Sequence, residues 1–166
     1  FMPAVRFAKD LIADGKLGTI YHVRIHYLQM AGHDPTLPPD KVWASGWPHS
    51  GSLQGIGSHA IDQCRFLLGE IASVSALVRT FHPDRALSTA GGDGAVSDEG
   101  TSAAIEFQCG AIGVLQVSAV ACGHQNQLAW EINGSHGSVQ WNLERPNDLR
   151  VCLHKRGMAG FTEISV

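Results

Sequence analysis

Apolar residues recur at Ala4, Val5, Ala8, Leu11 and Ile12, one stripe of a helix that the spacing predicts over Pro3 to Asp14. Proline suits a first turn, and Gly15 supplies a C-terminal cap. After "GKLG" the period changes. Tyr21, Val23, Ile25 and Tyr27 alternate with His22, Arg24 and His26, which predicts a half-buried strand over 19–29. The stretch "GSLQGIGSHAIDQCRFLLGE" returns to a helical period. It predicts a helix from Leu53 to Leu68 that buries Ile56, Ala60, Cys64, Leu67 and Leu68.

Next come a strand, "IASVSALVRTFH", and an irregular run, "PDRALSTAGGDGAVSD". "TSAAIEFQCGAIGVLQVSAVA" reads as a hairpin turning at Cys109-Gly110. "LAWEING", "SVQWNL" and "LRVCLHK" are three more strands, joined by the turns "GSHG" and "ERPND". Helix, strand, long loop, helix and then a run of strands means α+β: a mainly antiparallel, open-faced sheet with helices packed on one face. The chain opens on a helix and stops at "FTEISV", inside another strand pattern, so both ends read as cut.

Residues 30–50, "MAGHDPTLPPDKVWASGWPHS", hold four prolines and no period. A loop this long in a compact domain is usually functional. Trp43 and Trp47 either line a pocket or plug the loop onto the core.

Composition narrows the classes. The 166 residues suffice for one domain with a core, and 44% apolar with 16% charged residues is globular rather than disordered. A net charge of -3 gives no footprint for nucleic acid or an anionic membrane. No apolar run approaches the roughly 20 residues of a bilayer span, and the N-terminus reads as an amphipathic helix rather than a leader. Cys64, Cys109, Cys122 and Cys152 are too scattered for a zinc or redox pair. They read as buried free thiols of a reducing compartment, which predicts a cytoplasmic protein.

His22 and His26 are four apart, but on a strand that is about 13 Å, too far to share an ion. They belong to a polar sheet face, and no metal site is expected. His33, His49, His82, His124, His136 and His154 read as solvated loop or strand-end residues. His59 differs. It lies one turn into a helix whose start is stripped of side chains by Gly55 and Gly57, with Asp62 at i+3 on the same face. A helix N-terminus favours the neutral imidazole, and a neutral histidine beside bare backbone suits a general base. A helix-start histidine bonded to Asp62 in a purely structural role is the competing reading. There is no GxGxxG, phosphate loop, GxSxG or HExxH.

Three segments carry a resemblance. "PAVRFAKDLIADGKLGTIYHVRIHYLQ", "SGSLQGIGSHAIDQCRFLLGEIASVSA" and "LAWEINGSHGSVQWNLERPNDLRV" resemble, in order, the linking helix and first strand, the catalytic helix and the late strands of one family. That family is the Gfo/Idh/MocA oxidoreductases, and the domain is their C-terminal one. The resemblance implies that residues 1–166 form a C-terminal α/β domain of the glyceraldehyde-3-phosphate dehydrogenase-like type. The N-terminal Rossmann domain, its catalytic lysine and the last strands would lie outside it. It implies NAD or NADP, bound mainly by that Rossmann domain, so no cofactor is expected on this stretch alone. It implies a sugar or polyol substrate and a homo-oligomer formed through the open sheet face.

Residue by residue, His59 falls on the family's proton acceptor, and Asp62 also matches. Asp62, Trp43 and Trp47 become candidates for substrate, and Gly55 and Gly57 for close approach of the cofactor. One departure stands out: Gly55 occupies the place of the aspartate in the family's Asp-x-x-x-His. It favours an alternative, a non-catalytic member that keeps only a ligand pocket or an assembly surface. A free-standing α+β binding module is a third reading, against which the three-segment likeness argues.

Overall fold

A computed structural model describes residues 2–37, 51–83, 98–154 and 160–166. Helix α1 spans Pro3–Ala13 and leads to strand β1, Ile20–Leu28. A five-residue π-helical turn, Leu53–Gly57, runs directly into helix α2, Ser58–Leu68. Seven strands come after it: β2 (Ile71–Arg79), β3 (Gly100–Phe107), β4 (Ile112–Ser118), β5 (Gln127–Gly134), β6 (Gly137–Asn142), β7 (Asp148–Leu153) and β8 (Thr162–Ser165).

The eight strands form one sheet in the order β2-β3-β4-β1-β5-β6-β7-β8. All neighbours are antiparallel except the central pair, β1 and β4, which run parallel. Parallel neighbours cannot be joined by a tight turn. The chain between them therefore makes a long excursion through α2, β2 and β3. The expected hairpin is present, with Gly110 at φ 87° completing its turn.

Both helices lie on one face. α1 packs against β6 and β7, α2 against β1, and the π turn against β4. Val23, Ile25 and Tyr27 of β1 point to that side, as do Leu128, Trp130 and Ile132 of β5. Completely covering an Ile132 side chain contributes about 1.5–3 kcal/mol. Trp130 and Trp141 stack at the centre with ring centroids 5.9 Å apart. The Trp130 indole N–H donates to Gln63 Oε1 at 2.8 Å, pinning α2 to the sheet through a buried polar bond. Lys9 Nζ donates to the Leu67 carbonyl and lies over the Phe66 ring, which ties the two helices together.

Several details depart from the sequence pattern. Tyr21 is 55% exposed rather than inward, because β1 slips register against β5 between Ile20 and His22. Of the four cysteines, all free, only Cys64 is buried; Cys109 and Cys122 are exposed. Burial pushes the Cys64 thiol up to about 12, so it is an inert core residue. Ile56 is half-buried, and the helical path already includes Gly51. His59 thus lies at least two turns inside it, beyond the reach of a helix-end dipole, which fades within the first turn.

Gln63→Leu removes the acceptor for the Trp130 N–H and leaves a buried donor unmatched. It is expected to destabilise the fold by about 1–3 kcal/mol. Urea denaturation would register this as a lower midpoint with an unchanged slope, and an unaltered midpoint would show that the bond contributes nothing.

Candidate functional site

The start of the catalytic-helix candidate is built by a residue from far along the chain. Asp98 Oδ2 accepts hydrogen bonds from Ser52 Oγ at 2.5 Å and from the Leu53 N–H at 2.9 Å. The Ser52 N–H donates to the Asp98 carbonyl at 2.8 Å. Gly51 makes room for this: its φ is 67°, and a Cβ there would lie 2.0 Å from Asp98 Oδ1. Gly57 serves packing in the opposite direction. A Cβ at Gly57 would stand 3.1 Å from Leu53 Cδ1 and 3.1 Å from Val117 Cγ2, so its missing side chain faces β4. Gly55 is half-buried.

His59 is exposed on the second residue of α2. Its ring meets Tyr27, at the end of β1, with centroids 6.2 Å apart and planes tilted by 56°. Tyr27 is itself fixed: its hydroxyl donates to Asn126 Oδ1 at 2.6 Å, and Gln29 Nε2 donates to the same oxygen at 2.8 Å. Burial pushes the Tyr27 phenol above its ordinary range, so it stays protonated and donates. Asp62 is exposed one turn further along, and no hydrogen bond joins it to His59 among the described residues. Trp43, Trp47 and His49 lie outside the described residues.

Tyr27, Gln29, Asn126 and Asp98 were not singled out by sequence reasoning. Tyr27 read as core, which its 7% exposure supports; nothing local signals that its ring meets the His59 imidazole. Asp98 was hidden at the end of an irregular run, where the adjacent carboxylates of "SDEG" just before a strand were the available signal. His82, expected to be solvated, is instead paired with Glu99: its Nδ1 lies 3.0 Å from Glu99 Oε1.

The opposite sheet face has a different chemistry. Arg24 pairs with Glu131 at 3.0 Å, Gln140 Nε2 donates to Glu131, and Arg150 donates to Gln140 Oε1. Arg145 bridges Asp148 and Glu163 beyond them. A shallow concavity of about 410 Å³ lies over this ladder, and another of about 350 Å³ lies beside it against Ile112 and Val114. Both sit on the face away from His59. Arg24 and Arg145 there are paired with carboxylates, while Arg150 bonds to Gln140 and lies over the Phe161 ring.

Residues 5–140 match the family described as the GFO/IDH/MocA C-terminal domain. The chain belongs to this family. It is 35% identical to a levoglucosan dehydrogenase from Pseudarthrobacter phenanthrenivorans over 164 residues, 91% of this chain and 42% of the relative. The structure superposes on an oxidoreductase domain protein from Kribbella flavida with a TM-score of 0.83 at 36% identity, covering 98% of this chain and 44% of that one. A levoglucosan dehydrogenase in complex with NADH and levoglucosan gives a TM-score of 0.85 at 33% identity, covering 99% and 44%. The chain thus spans less than half the length of these relatives.

Burial, reinforced by the Arg24 and His124 charges, holds the His26 imidazole below its ordinary 6.5. Below pH 6.5 the unfolded chain therefore takes up a proton that the folded one refuses until lower pH. This stability is complete above 6.5 and is lost as the pH falls toward the native value. Arg24→Met should raise the His26 midpoint in an NMR titration and reduce that loss. A midpoint that does not move would show that Arg24 has no part in setting it.

Proposed function

We propose that this chain is the substrate-binding and assembly domain of an NAD-dependent sugar or polyol dehydrogenase, with His59 as proton acceptor. The observation that carries the reading is the helix start: an exposed imidazole, set against a fixed tyrosine, at the position that the family uses for its acceptor. The levoglucosan dehydrogenase relative supports the substrate class, and its complex with NADH supports NAD.

A nicotinamide bound against this face would supply the hydride acceptor for the carbinol carbon. The residues of this chain handle the remaining proton. As the C–H bond breaks, His59 takes the hydroxyl proton through a ring nitrogen, and the carbon becomes a carbonyl. Tyr27 holds one flank of the imidazole with a ring immobilised by Asn126. Asp62 and the tryptophans Trp43 and Trp47 are the candidates for contact with substrate hydroxyls and ring faces. Of the two glycines expected beside the cofactor, Gly57 is turned into the sheet, so close approach falls to Gly55. With glycine at 55, the helix offers no carboxylate one turn before His59. Packing against Tyr27 replaces that orienting bond.

The open face is the proposed assembly surface, and its partner is a second copy of this chain. Leu77 is 68% exposed, Ile112 61% and Val114 53%, and all three point away from the helices. Beside this apolar half lies the charged half, Arg24, Glu131, Arg150 and Glu163. A twofold interface sets the same patch against itself, and a patch holding both signs can then oppose unlike charges.

Two experiments test these readings. In the full-length protein, His59→Ala should lower kcat by roughly 10²–10⁴ with little change in KM, the signature of a group that acts in the transition state. Turnover of levoglucosan persisting within about threefold of wild type would leave His59 structural, and no turnover even in the wild type would favour a non-catalytic member. Val114→Asp should convert the oligomer to a smaller species in light scattering, while Val74→Asp, on the other face, should not. Equal masses for wild type and Val114→Asp would sink the assembly reading.

A further inference from the structure

We infer that Asp98 is a positioning residue for His59: its tie to Ser52 and Leu53 fixes the direction from which the imidazole meets the substrate. The inference rests on the reading of His59 as proton acceptor.

Asp98 is held from behind by its neighbour. The Glu99 side chain is 5% exposed, and its carboxylate accepts the Phe81 N–H at 2.6 Å and the His82 N–H at 2.8 Å. The Glu99 N–H donates to the Arg79 carbonyl, and the Ala119 N–H donates to the Glu99 carbonyl. Asp98 is thus anchored to the ends of β2 and β4. From that anchor its carboxylate grips the helix start. Ser52 is fully buried and gives both its Oγ–H and its N–H to Asp98. Position 51 admits the carboxylate only as glycine.

The π turn over Leu53–Gly57 gives this tie its leverage. A π turn holds more residues than an α turn, and π turns persist inside helices only where something holds them. Each residue added or removed rotates the downstream part of a helix by about 100° round its axis. Here the surplus is trapped between two fixed points. One is the Asp98 tie, and the other is the packing of Ala60 and Cys64 against the sheet. His59 lies between them. With the tie cut, the turn relaxes toward α geometry, and the residues between the fixed points swing, His59 included. A displacement of about 1 Å at a proton acceptor is enough to lose about a hundredfold in rate.

The test uses the full-length protein and two readouts. The first needs no substrate: proton–proton contacts between the rings of His59 and Tyr27, observed by NMR with selectively labelled histidine and tyrosine. Asp98→Ala should abolish these contacts while the core signals of Ile132 and Val139 persist. Asp98→Asn keeps an oxygen that can accept both donors and should restore them. Ser52→Ala, which removes one donor and spares the fold, should weaken them, and it carries the test if Asp98→Ala does not fold. Ring contacts that survive both alanine variants would overturn the proposal.

The second readout is a double-mutant cycle with levoglucosan and NAD+ as the probe pair. Asp98→Ala should lower kcat about ten- to a hundredfold with KM within about threefold, and Asp98→Asn should recover it. In a His59→Ala background the same substitution should change kcat by less than about twofold, because its effect passes through the imidazole. An equal loss with and without His59 would assign Asp98 a general structural role instead. If His59→Ala alone leaves turnover intact, the proton-acceptor reading falls, while the ring contacts still report whether Asp98 orients His59.

Discussion

The parallel pairing of β1 with β4 is the constraint on which the rest of the structure depends. Seven residue pairs, from His22 with Ile112 to Leu28 with Ser118, set the two strands side by side in one direction. Because parallel neighbours need a long crossover, the chain must leave the end of β1, cross the sheet as a helix and return through a hairpin. That path brings three things to the carboxyl ends of the central strands. Tyr27 and Gln29 close β1, the helix start passes over β4, and Asp98 and Glu99 enter β3. Backbone bonds seal the junction, with the Gln29 N–H donating to Ser118 and the Gly32 N–H to Ala119. In sheets with parallel strands the crevice beyond the carboxyl ends is where ligands are commonly bound. His59 stands at that end.

Much of the architecture was legible because its signals are local. Period-2 alternation marked β1, the glycine turn marked the β3–β4 hairpin, and the 3.6-residue stripe marked both helices. Long-range order left weaker traces. The parallel β1–β4 pair has no sequence mark, since a strand carries the same alternation whichever way its neighbour runs. The π turn was invisible because one inserted residue barely disturbs a helical stripe. Tyr21 read as inward because its parity is right, and only a register slip against β5 turns it out.

The site divides in the same way. His59 was singled out by the bare helix start and by the resemblance, and the family match supports the domain that contains it. The residues packed around it were not singled out. Tyr27 precedes His59 by a long loop, Asn126 comes two hairpins after it, and Asp98 lies beyond an irregular run. Their convergence is a property of the sheet, not of any window of sequence. Gly57 shows how one residue admits two explanations: a bare position beside a reactive group and a bare position beside a strand look alike until Val117 is placed 3.1 Å away. The two faces of the sheet differ in kind: the helix face carries the His59–Tyr27 contact, and the other carries a ladder of charged and polar side chains.

The tie formed by Asp98 and Glu99 also bears on how such a domain can change its substrate. Residues 38–50 and 84–97 both rejoin the described fold at this tie, one at Gly51 and the other at Asp98. The bonds that join Ser52 and Leu53 to Asp98 use no atom of either segment. On the reading proposed above, selection can rewrite Trp43, Trp47 and their neighbours, the candidate substrate contacts, while inheriting His59. A designer seeking a new specificity should vary those two segments and leave Gly51, Ser52, Asp98 and Glu99 alone.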